Sequence, residues 1–229
     1  MTSLGDAALL LSYGNIIDRT INEKIIGLHQ ALIQKPFPGF IESVPAYASL
    51  AVFYNALFIK QSYPDTLSIF DFVKEQVLQV SAVALSAAEN NNVNNITIPV
   101  YYNGEDLEYV AALHQISTDE LIQFHTGEKY HVYMTGFLPG FAYMGTVHKK
   151  IITPRKEQPR IKVNAGSVGI AGEQTGIYPF DSPGGWQIIG TTPLRIFDTG
   201  KDDPCLLKAG DTVTFTSINQ QEFEQLNEH

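Results

Sequence analysis

The sequence predicts an α+β protein with two domains, and three observations support this. In the first 90 or so residues, short strand-like apolar runs alternate with stretches of helical spacing. After Tyr130 the chain consists of short β-branched and aromatic runs separated by Gly, Pro and Asp turns. Between these parts lies one low-complexity patch, ENNNVNN, at residues 89–95. Its polar composition favours a hinge, so we place the domains at residues 1–92 and 93–229.

The first domain opens with a buried strand at residues 7–13. Asn15 or Asp18 can then cap a helix, which prolines stop at residues 36 and 38. The helix has apolar positions at spacings of three and four, namely Ile17, Ile21, Ile25, Leu28 and Leu32. Residues 40–44 and 47–54 follow as two strands.

A second helix is predicted from Ser68, because Ser68 and Asp71 have the spacing of a capping box. Its inward positions are Phe70, Val73, Val77, Val80 and Ala84. The element order is then β-α-β-β-α. If residues 96–101 close the sheet, the N-terminal domain is a ferredoxin-like α/β sandwich.

The second domain is predicted to begin with two short helices, at residues 106–115 and 117–125. Glu120 follows Ser117 at capping-box spacing. The remaining pieces are of strand length: HVYMTGF, GIYPF, WQIIG, LRIF and DTVTFTSI. Such a series indicates an antiparallel β-barrel or sandwich.

Composition excludes several classes of function. The net charge of −9 argues against a general nucleic-acid or anionic-membrane surface. The single cysteine, Cys205, excludes an internal disulfide framework, and the N-terminus has no signal-peptide pattern, so we expect a cytoplasmic protein. The six histidines lack metal-ligand spacing, and the sequence has no P-loop, dinucleotide fingerprint or G-x-S-x-G elbow. We therefore expect no metal and assign no catalytic residue.

A basic cluster stands out against this acidic background. Six of the 15 basic residues fall within residues 149–162, opposed only by Glu157. Charge alone leaves a solvated basic strand pair equally open. Prolines directly before Arg155 and Arg160 restrict the backbone there, and a fixed guanidinium suits carboxylate or phosphate recognition. We therefore expect these two arginines to bind an anion.

A glycine-rich stretch follows at residues 166–193, where ten of 28 residues are Gly or Pro. Such turns let backbone N–H groups approach a ligand closely. Gly184 and Gly185 beside Trp186, the only tryptophan, suggest a shelf for a flat ligand; the competing interpretation is that Trp186 and Tyr178 are buried core aromatics. The expected substrate- or anion-binding residues are Arg155, Arg160, Gly166, Ser167, Gln174, Tyr178, Gly184, Gly185 and Trp186.

Another stretch, GFLPGFAYMG at residues 136–145, separates aromatic residues by glycines. We expect these aromatic residues not all to point inward, and an exposed apolar patch of this kind usually marks an interface. The predicted partner-facing residues are Phe137, Leu138, Pro139, Phe141 and Tyr143.

These motifs together resemble the allophanate hydrolase subunit 1 family over nearly the whole chain. The resemblance is found in GDAALLLSYG, VPAYASL, IPVYYNGEDLEYVA, GFLPGFAYMG, PRKEQPR and AGSVGIAGEQTGIYPFDSPGGWQIIG. That family includes the B subunit of bacterial 5-oxoprolinase, KipI-type inhibitors of a sensor histidine kinase, and part of urea carboxylase. It implies an N-terminal α/β domain followed by a cyclophilin-like β-barrel.

The resemblance also implies a function. The leading expectation is a subunit of an ATP-dependent 5-oxoprolinase that is inactive alone. Its partner would be an allophanate hydrolase subunit 2-type protein, together with a third component, the A subunit of 5-oxoprolinase. ATP would be the cosubstrate, shared with or held by the partners. The alternatives are a KipI-type kinase inhibitor and, ranked lower, a component of urea or allophanate metabolism.

Two positions depart from the family pattern. Asn164 stands where the family usually has proline, and Thr191 where it usually has arginine. Loss of that arginine weakens the expected anion site.

Overall fold

The structure is a computed structural model that describes residues 1–86 and 94–227. It divides into two compact units, residues 1–92 and 93–229. Five of the seven residues of the hinge predicted at residues 89–95 lie outside the described residues, and so does the side chain of Ala84. None of the described helices is both long enough and apolar enough to span a membrane.

The described part of the first unit is a four-stranded antiparallel sheet with three helices. Its strand order is β1-β2-β4-β3. The elements in chain order are β1 (Thr2–Ser3), β2 (Ala8–Ser12), α1 (Arg19–Gln34), β3 (Phe40–Pro45), β4 (Ser49–Tyr54), α2 (Ala56–Ser62) and α3 (Ile69–Ser86).

Local sequence determines where these helices begin. The Asp18 side chain accepts a hydrogen bond from the Ile21 amide, which caps α1, and Ser68 accepts one from the Asp71 amide at the start of α3. Both caps confirm the sequence prediction. Ile17, expected on the inward face of α1, instead precedes the helix and is 43% exposed. The sequence prediction also missed α2, whose cap is the Asn55 side chain.

The predicted closing strand of the first unit is wrong. Residues Asn95–Val100 form β5 of the second unit, so the ferredoxin-like arrangement is not confirmed. The fourth strand of the first sheet is instead β1, which consists of the two residues Thr2–Ser3. Strand β4 does lie between β2 and β3 and is antiparallel to both. The core beneath this sheet includes Leu9, Ile25, Leu32, Leu50, Val52 and Val73.

The second unit is built on a seven-stranded sheet with the order β12-β9-β10-β7-β6-β13-β5. A separate two-stranded sheet pairs β11 with β8. The elements in chain order are β5 (Asn95–Val100), α4 (Leu107–Leu113), α5 (Thr118–Thr126), β6 (Tyr130–Thr135), β7 (Ala142–Gly145), a 3₁₀ turn (Lys149–Ile151), β8 (Arg160–Val163), β9 (Ser167–Ala171), β10 (Gln174–Ile177), β11 (Ser182–Gly184), β12 (Gln187–Thr191), β13 (Thr212–Ser217) and α6 (Gln220–Asn227).

The seven-stranded sheet closes almost completely on itself. Its edge strands are β12 and β5, and just past β5 the backbone of Tyr101 exchanges two hydrogen bonds with Thr191, of 2.9 and 2.8 Å. Pro99 lies in β5, where an edge position tolerates its missing N–H group. This confirms a barrel-like second unit, but the prediction of an antiparallel barrel is wrong for one strand pair, because β5 and β13 run parallel.

For the remaining elements of this unit, one sequence prediction is wrong, one helix was missed and one prediction is confirmed. The LRIF run forms no strand; within it only Phe197 makes an isolated bridge, to Cys205. Helix α6 was not predicted. The capping box at the start of α5 is present in full, because Ser117 and Glu120 bond each other's backbone amides.

A fully satisfied polar chain runs through the barrel interior around His125. Tyr102 Oη lies 2.7 Å from His125 Nδ1, His125 Nε2 lies 2.9 Å from Thr175 Oγ1, and that hydroxyl donates to the Gly169 carbonyl at 3.0 Å. Because Thr175 has only one proton to donate, its oxygen accepts from Nε2–H, and Nδ1 accepts from the tyrosine. Burial lowers the pKa of His125 to about 3, so the imidazole is neutral.

Candidate functional site

The basic segment at residues 154–160, which we call the strap, is tied along β12 and the turn before it. The Lys156 amide donates to the Gly185 carbonyl at 2.7 Å, and the Gln187 side chain donates to the Pro154 carbonyl at 3.1 Å. Gln187 Oε1 is buried and has no partner among the described residues. The strap is therefore fixed at its backbone.

Beneath the strap lies a cluster of aromatic rings centred on Phe141. Its ring centroid is 5.4 Å from Trp186, 5.4 Å from Tyr178 and 4.8 Å from Tyr143. Trp186 is only 4% exposed and Tyr178 only 1%. The structure therefore places Trp186 in a small second core of the unit, which was the competing interpretation, and offers no open shelf on the ring. Burial raises the pKa of both Tyr143 and Tyr178.

The two predicted arginines have different environments. Arg155 is exposed, its guanidinium lies 5.8 Å from the centre of the Trp186 ring, and it has no carboxylate partner among the described residues. Arg160 is engaged at every guanidinium nitrogen: Nε with Glu105 at 2.6 Å, Nη2 with both oxygens of Asp106, and Nη1 with the Trp186 carbonyl. Both arginines lie beside Trp186, but only Arg155 remains available to a ligand.

Asp106 is the carboxylate that organises this region, and it is 4% exposed. It accepts hydrogen bonds from Arg160 at 2.6 and 2.7 Å, from Lys156 Nζ at 2.9 Å and from the Ile188 amide at 2.7 Å. Burial by itself raises the pKa of Asp106, but these bonds outweigh it and hold that pKa below its usual value.

Charges from distant parts of the sequence therefore neutralise much of the basic cluster. Glu105 and Asp106 pair with Arg160 and Lys156, and Asp181 pairs with Lys162 at 2.7 Å. The local excess of +5 that the sequence suggested does not survive folding. Of the six cations, the ones without an ion pair among the described residues are Lys149, Lys150 and Arg155.

Two amides of the glycine-rich stretch form hydrogen bonds within the protein, and one of its glycines leaves room for a neighbouring side chain. The Gly166 amide donates to the Tyr178 carbonyl at 2.8 Å and the Ser167 amide to the Asn164 carbonyl at 3.2 Å, so these two amides form no anion nest. Gly166 has φ +79°, which favours glycine. At Gly184 a Cβ atom would overlap the Tyr178 hydroxyl.

Gln174, an expected site residue, and Thr191, a departure from the family pattern, both lie in strands of the seven-stranded sheet. Gln174 begins β10, where it pairs with Ala171 of β9 and with Gly145 of β7. Thr191, the departure from the family pattern, lies at the barrel closure, where its hydroxyl donates to Asn103 at 3.1 Å. It is five residues from Trp186, roughly 16 Å along β12.

The predicted partner-facing residues are only partly at the surface. Phe137 is 62% exposed and Pro139 is exposed, whereas Leu138 and Tyr143 are half-buried. Phe141 is 1% exposed, which corrects its assignment: it belongs to the aromatic core. Phe137 also has φ +72°, an uncommon conformation for a bulky residue. The loop between β6 and β7 thus presents one strained, exposed aromatic side chain.

Sequence reasoning missed the residues that hold this site together, Glu105, Asp106 and Gln187. The acidic pair lies in YYNGEDLEYV, a stretch noted only for its family resemblance. No local pattern pairs it with a basic segment some 50 residues later. A search of the sequence for carboxylates able to neutralise the basic cluster was the available way to find this acidic pair.

The second unit is a nearly closed barrel with the strap tied over an aromatic core, and this arrangement defines a class of protein. Comparison with known proteins identifies the family. The family model described as carboxyltransferase domain, subdomain C and D, matches residues 1–207. The chain therefore belongs to that family.

Individual relatives agree with this assignment. The chain is 43% identical to the B subunit of 5-oxoprolinase from Bacillus subtilis, covering 98% of this chain and 95% of that protein. It is 35% identical to the B subunit of 5-oxoprolinase from Escherichia coli O157:H7, covering 93% of each. The crystal structure of TTHA0988 superposes with a TM-score of 0.79 at 32% identity; the match covers 93% of this chain but only 40% of that one.

Proposed function

We propose that this protein is the B-type component of an ATP-dependent 5-oxoprolinase, which opens the lactam of 5-oxoproline to give glutamate. The observation that supports this most strongly is the similarity to the B subunit of 5-oxoprolinase along nearly the full length of both chains. Amide resonance stabilises a lactam, so its opening requires activation of the carbonyl oxygen, for example by phosphorylation.

Arg155 is the group on this chain that we assign to substrate binding. It is exposed, its neighbours Pro154 and Lys156 are tied at their backbones, and it is not neutralised by a carboxylate among the described residues. A guanidinium held in this way suits a small carboxylate. Arg160, by contrast, serves as the structural partner of Asp106.

We assign the ATP phosphates chiefly to partner subunits. The amides of Gly166 and Ser167 are used internally, and three of the six cations in the basic cluster are paired. A site with one available guanidinium is incomplete for a triphosphate. An allophanate hydrolase subunit 2-type partner, together with the A subunit, would complete it.

We place the contact with that partner on the loop that presents Phe137. Exposing a large ring on a strained backbone has a free-energy cost, and burial in a partner would offset it. Leu138 and Pro139 extend the same apolar surface.

The experiment is to purify the chain with its two partner subunits and to measure ATP hydrolysis with and without 5-oxoproline. We expect hydrolysis that depends on 5-oxoproline only in the assembled complex, and its loss in Arg155→Ala. Arg195→Ala is the matched control, because that arginine is also exposed in the second unit, and its one ion pair with the described residues is a long 3.8 Å contact to Asp198. Full activity of Arg155→Ala refutes the assigned role; ATP hydrolysis indifferent to 5-oxoproline refutes the proposed reaction.

A further inference from the structure

We propose that Asp106 is a positioning residue, whose buried carboxylate locks the strap onto β12 so that Arg155 stays over Trp186. The structural part of this proposal concerns the chain alone. Its consequence for catalysis rests on the function proposed above.

The argument begins with what the two carboxylate oxygens bind. Oδ1 binds Lys156 and Arg160, which belong to the strap, and Oδ2 binds Arg160 and the Ile188 amide, which belongs to β12. One carboxylate thus binds both sides of the contact between strap and strand. Because it is almost fully buried, these charge-assisted bonds act in a medium of low dielectric constant, where they are strong.

The position of Asp106 in the chain makes this use of the side chain unusual. It directly precedes α4, where an aspartate normally accepts hydrogen bonds from its own helix amides. Asp106 makes no such cap bond. Its oxygens instead reach partners 50, 54 and 82 residues away. The carboxylate therefore leaves its own helix without a side-chain cap and forms long-range hydrogen bonds to Lys156, Arg160 and the Ile188 amide, which we call the clamp.

The clamp bears directly on the residue next to Arg155. Lys156 is held by its amide, which donates to the Gly185 carbonyl, and by its ammonium group, which donates to Asp106. Arg160 closes the other end of the strap, where it also contacts the Trp186 carbonyl at 3.3 Å. Without the carboxylate, Lys156 Nζ and Arg160 Nη2 lose their partner, while the backbone bonds of the strap and the contacts of Arg160 with Glu105 and the Trp186 carbonyl remain. Arg155 is then positioned less firmly over the ring.

The single tryptophan provides a direct readout. In the full 229-residue chain labelled with ¹⁵N-tryptophan, the indole N–H of Trp186 gives one cross-peak. The experiment measures its chemical shift in the wild type, Asp106→Asn, Arg155→Ala and the double variant. If Asp106 positions Arg155, removing Arg155 shifts the peak clearly in the wild type and by less than half as much in the Asp106→Asn background.

A merely structural ion pair predicts a different result. Asp106→Asn would then lower the melting temperature, yet Arg155→Ala would shift the peak equally in both backgrounds, and that outcome overturns the proposal. Asp181→Asn is the matched control, because Asp181 also binds a lysine, Lys162, and a backbone amide, that of Ala165, near the strap's end. We expect it to leave the Arg155-dependent shift unchanged.

A second variant covers the case in which Asp106→Asn does not fold. Lys156→Gln removes one of the clamp's contacts and keeps the backbone bond to Gly185, so we expect it to reduce the Arg155-dependent shift partially. An undiminished shift in Lys156→Gln refutes the proposal in that case.

The assembled complex adds a catalytic test. Asp106→Asn and Arg155→Ala should each lower kcat/KM for 5-oxoproline, and the double variant should be no worse than Arg155→Ala alone. Fully multiplicative losses contradict the positioning role. If the wild-type complex shows no activity dependent on 5-oxoproline, the proposed function fails, while the indole measurement still decides the role of Asp106.

Discussion

The neutral, buried His125 predicts a specific dependence of stability on pH. Burial lowers the pKa of His125 in the folded state to about 3, from an ordinary value of 6.5 that applies to the unfolded chain. The unfolded state therefore binds a proton that the folded state does not. The stability that His125 contributes is fully present above pH 6.5 and is lost as the pH falls toward 3.

The magnitude follows from the two pKa values. At about pH 4.5 the imidazole of His125 is protonated in the unfolded chain and neutral in the folded protein. This pH is about two units below the unfolded-state pKa of 6.5, and each of these units lowers the free energy of unfolding by about 1.36 kcal/mol. Between about pH 7.5 and 4.5, His125 should thus remove about 3 kcal/mol from the free energy of unfolding.

The assay is urea unfolding at several pH values, followed by the fluorescence of Trp186, which lies in the same unit as His125. His125→Gln is the matched variant, because its amide can accept from Tyr102 and donate to Thr175 without titrating. The wild type should lose about 3 kcal/mol more than this variant over that range. His29, whose pKa burial also lowers, is present in both proteins and cancels. Parallel pH profiles for the two proteins would refute the reasoning.

Three further predictions concern the site. Arg160→Ala should destabilise the second unit by about 3 kcal/mol in urea unfolding, because it leaves a buried carboxylate short of a partner, whereas Arg155→Ala should change stability by less than about 0.5 kcal/mol. Gly184→Ala should cost about 1–3 kcal/mol, since its Cβ overlaps the tyrosine hydroxyl beneath it, while Gly185→Ala, with its nearest contact at 3.6 Å, should be tolerated. Phe137→Ala should weaken binding to the partner protein about tenfold in calorimetry, with melting temperature unchanged. Equal losses of stability in Arg160→Ala and Arg155→Ala, or in Gly184→Ala and Gly185→Ala, would contradict the first or the second prediction. Unchanged affinity of Phe137→Ala for the partner would contradict the third.

Features that depend on near neighbours in the chain were well predicted. The caps at Asp18, Ser68 and Ser117 each form as expected, because a side-chain oxygen and an amide three residues later meet whenever the helix forms. Short β-branched and aromatic runs bounded by turn residues indicated most strands, because these preferences also act over a few neighbouring residues. The aromatic motif at residues 136–145 was harder, because glycine spacing shows where rings are presented but not which side they face. Phe137 is exposed and Phe141 buried.

The sheet to which β5 belongs could not be predicted. Its six residues read as a strand in either unit, and the choice depends on β13, more than 100 residues later, which pairs with it in parallel. The same limit applied to the anion site. Arg155 and Arg160 look equivalent in PRKEQPR, and only a carboxylate some 50 residues earlier distinguishes them.

The sequence by itself thus determined the local elements, the family and the place where positive charge accumulates along the chain. Tertiary structure alone decided which of those charges remains available, because a Coulomb interaction depends on distance in space and on burial, not on separation along the chain. Folding brings Glu105 and Asp106 onto the strap, neutralises Arg160 and leaves Arg155 over Trp186.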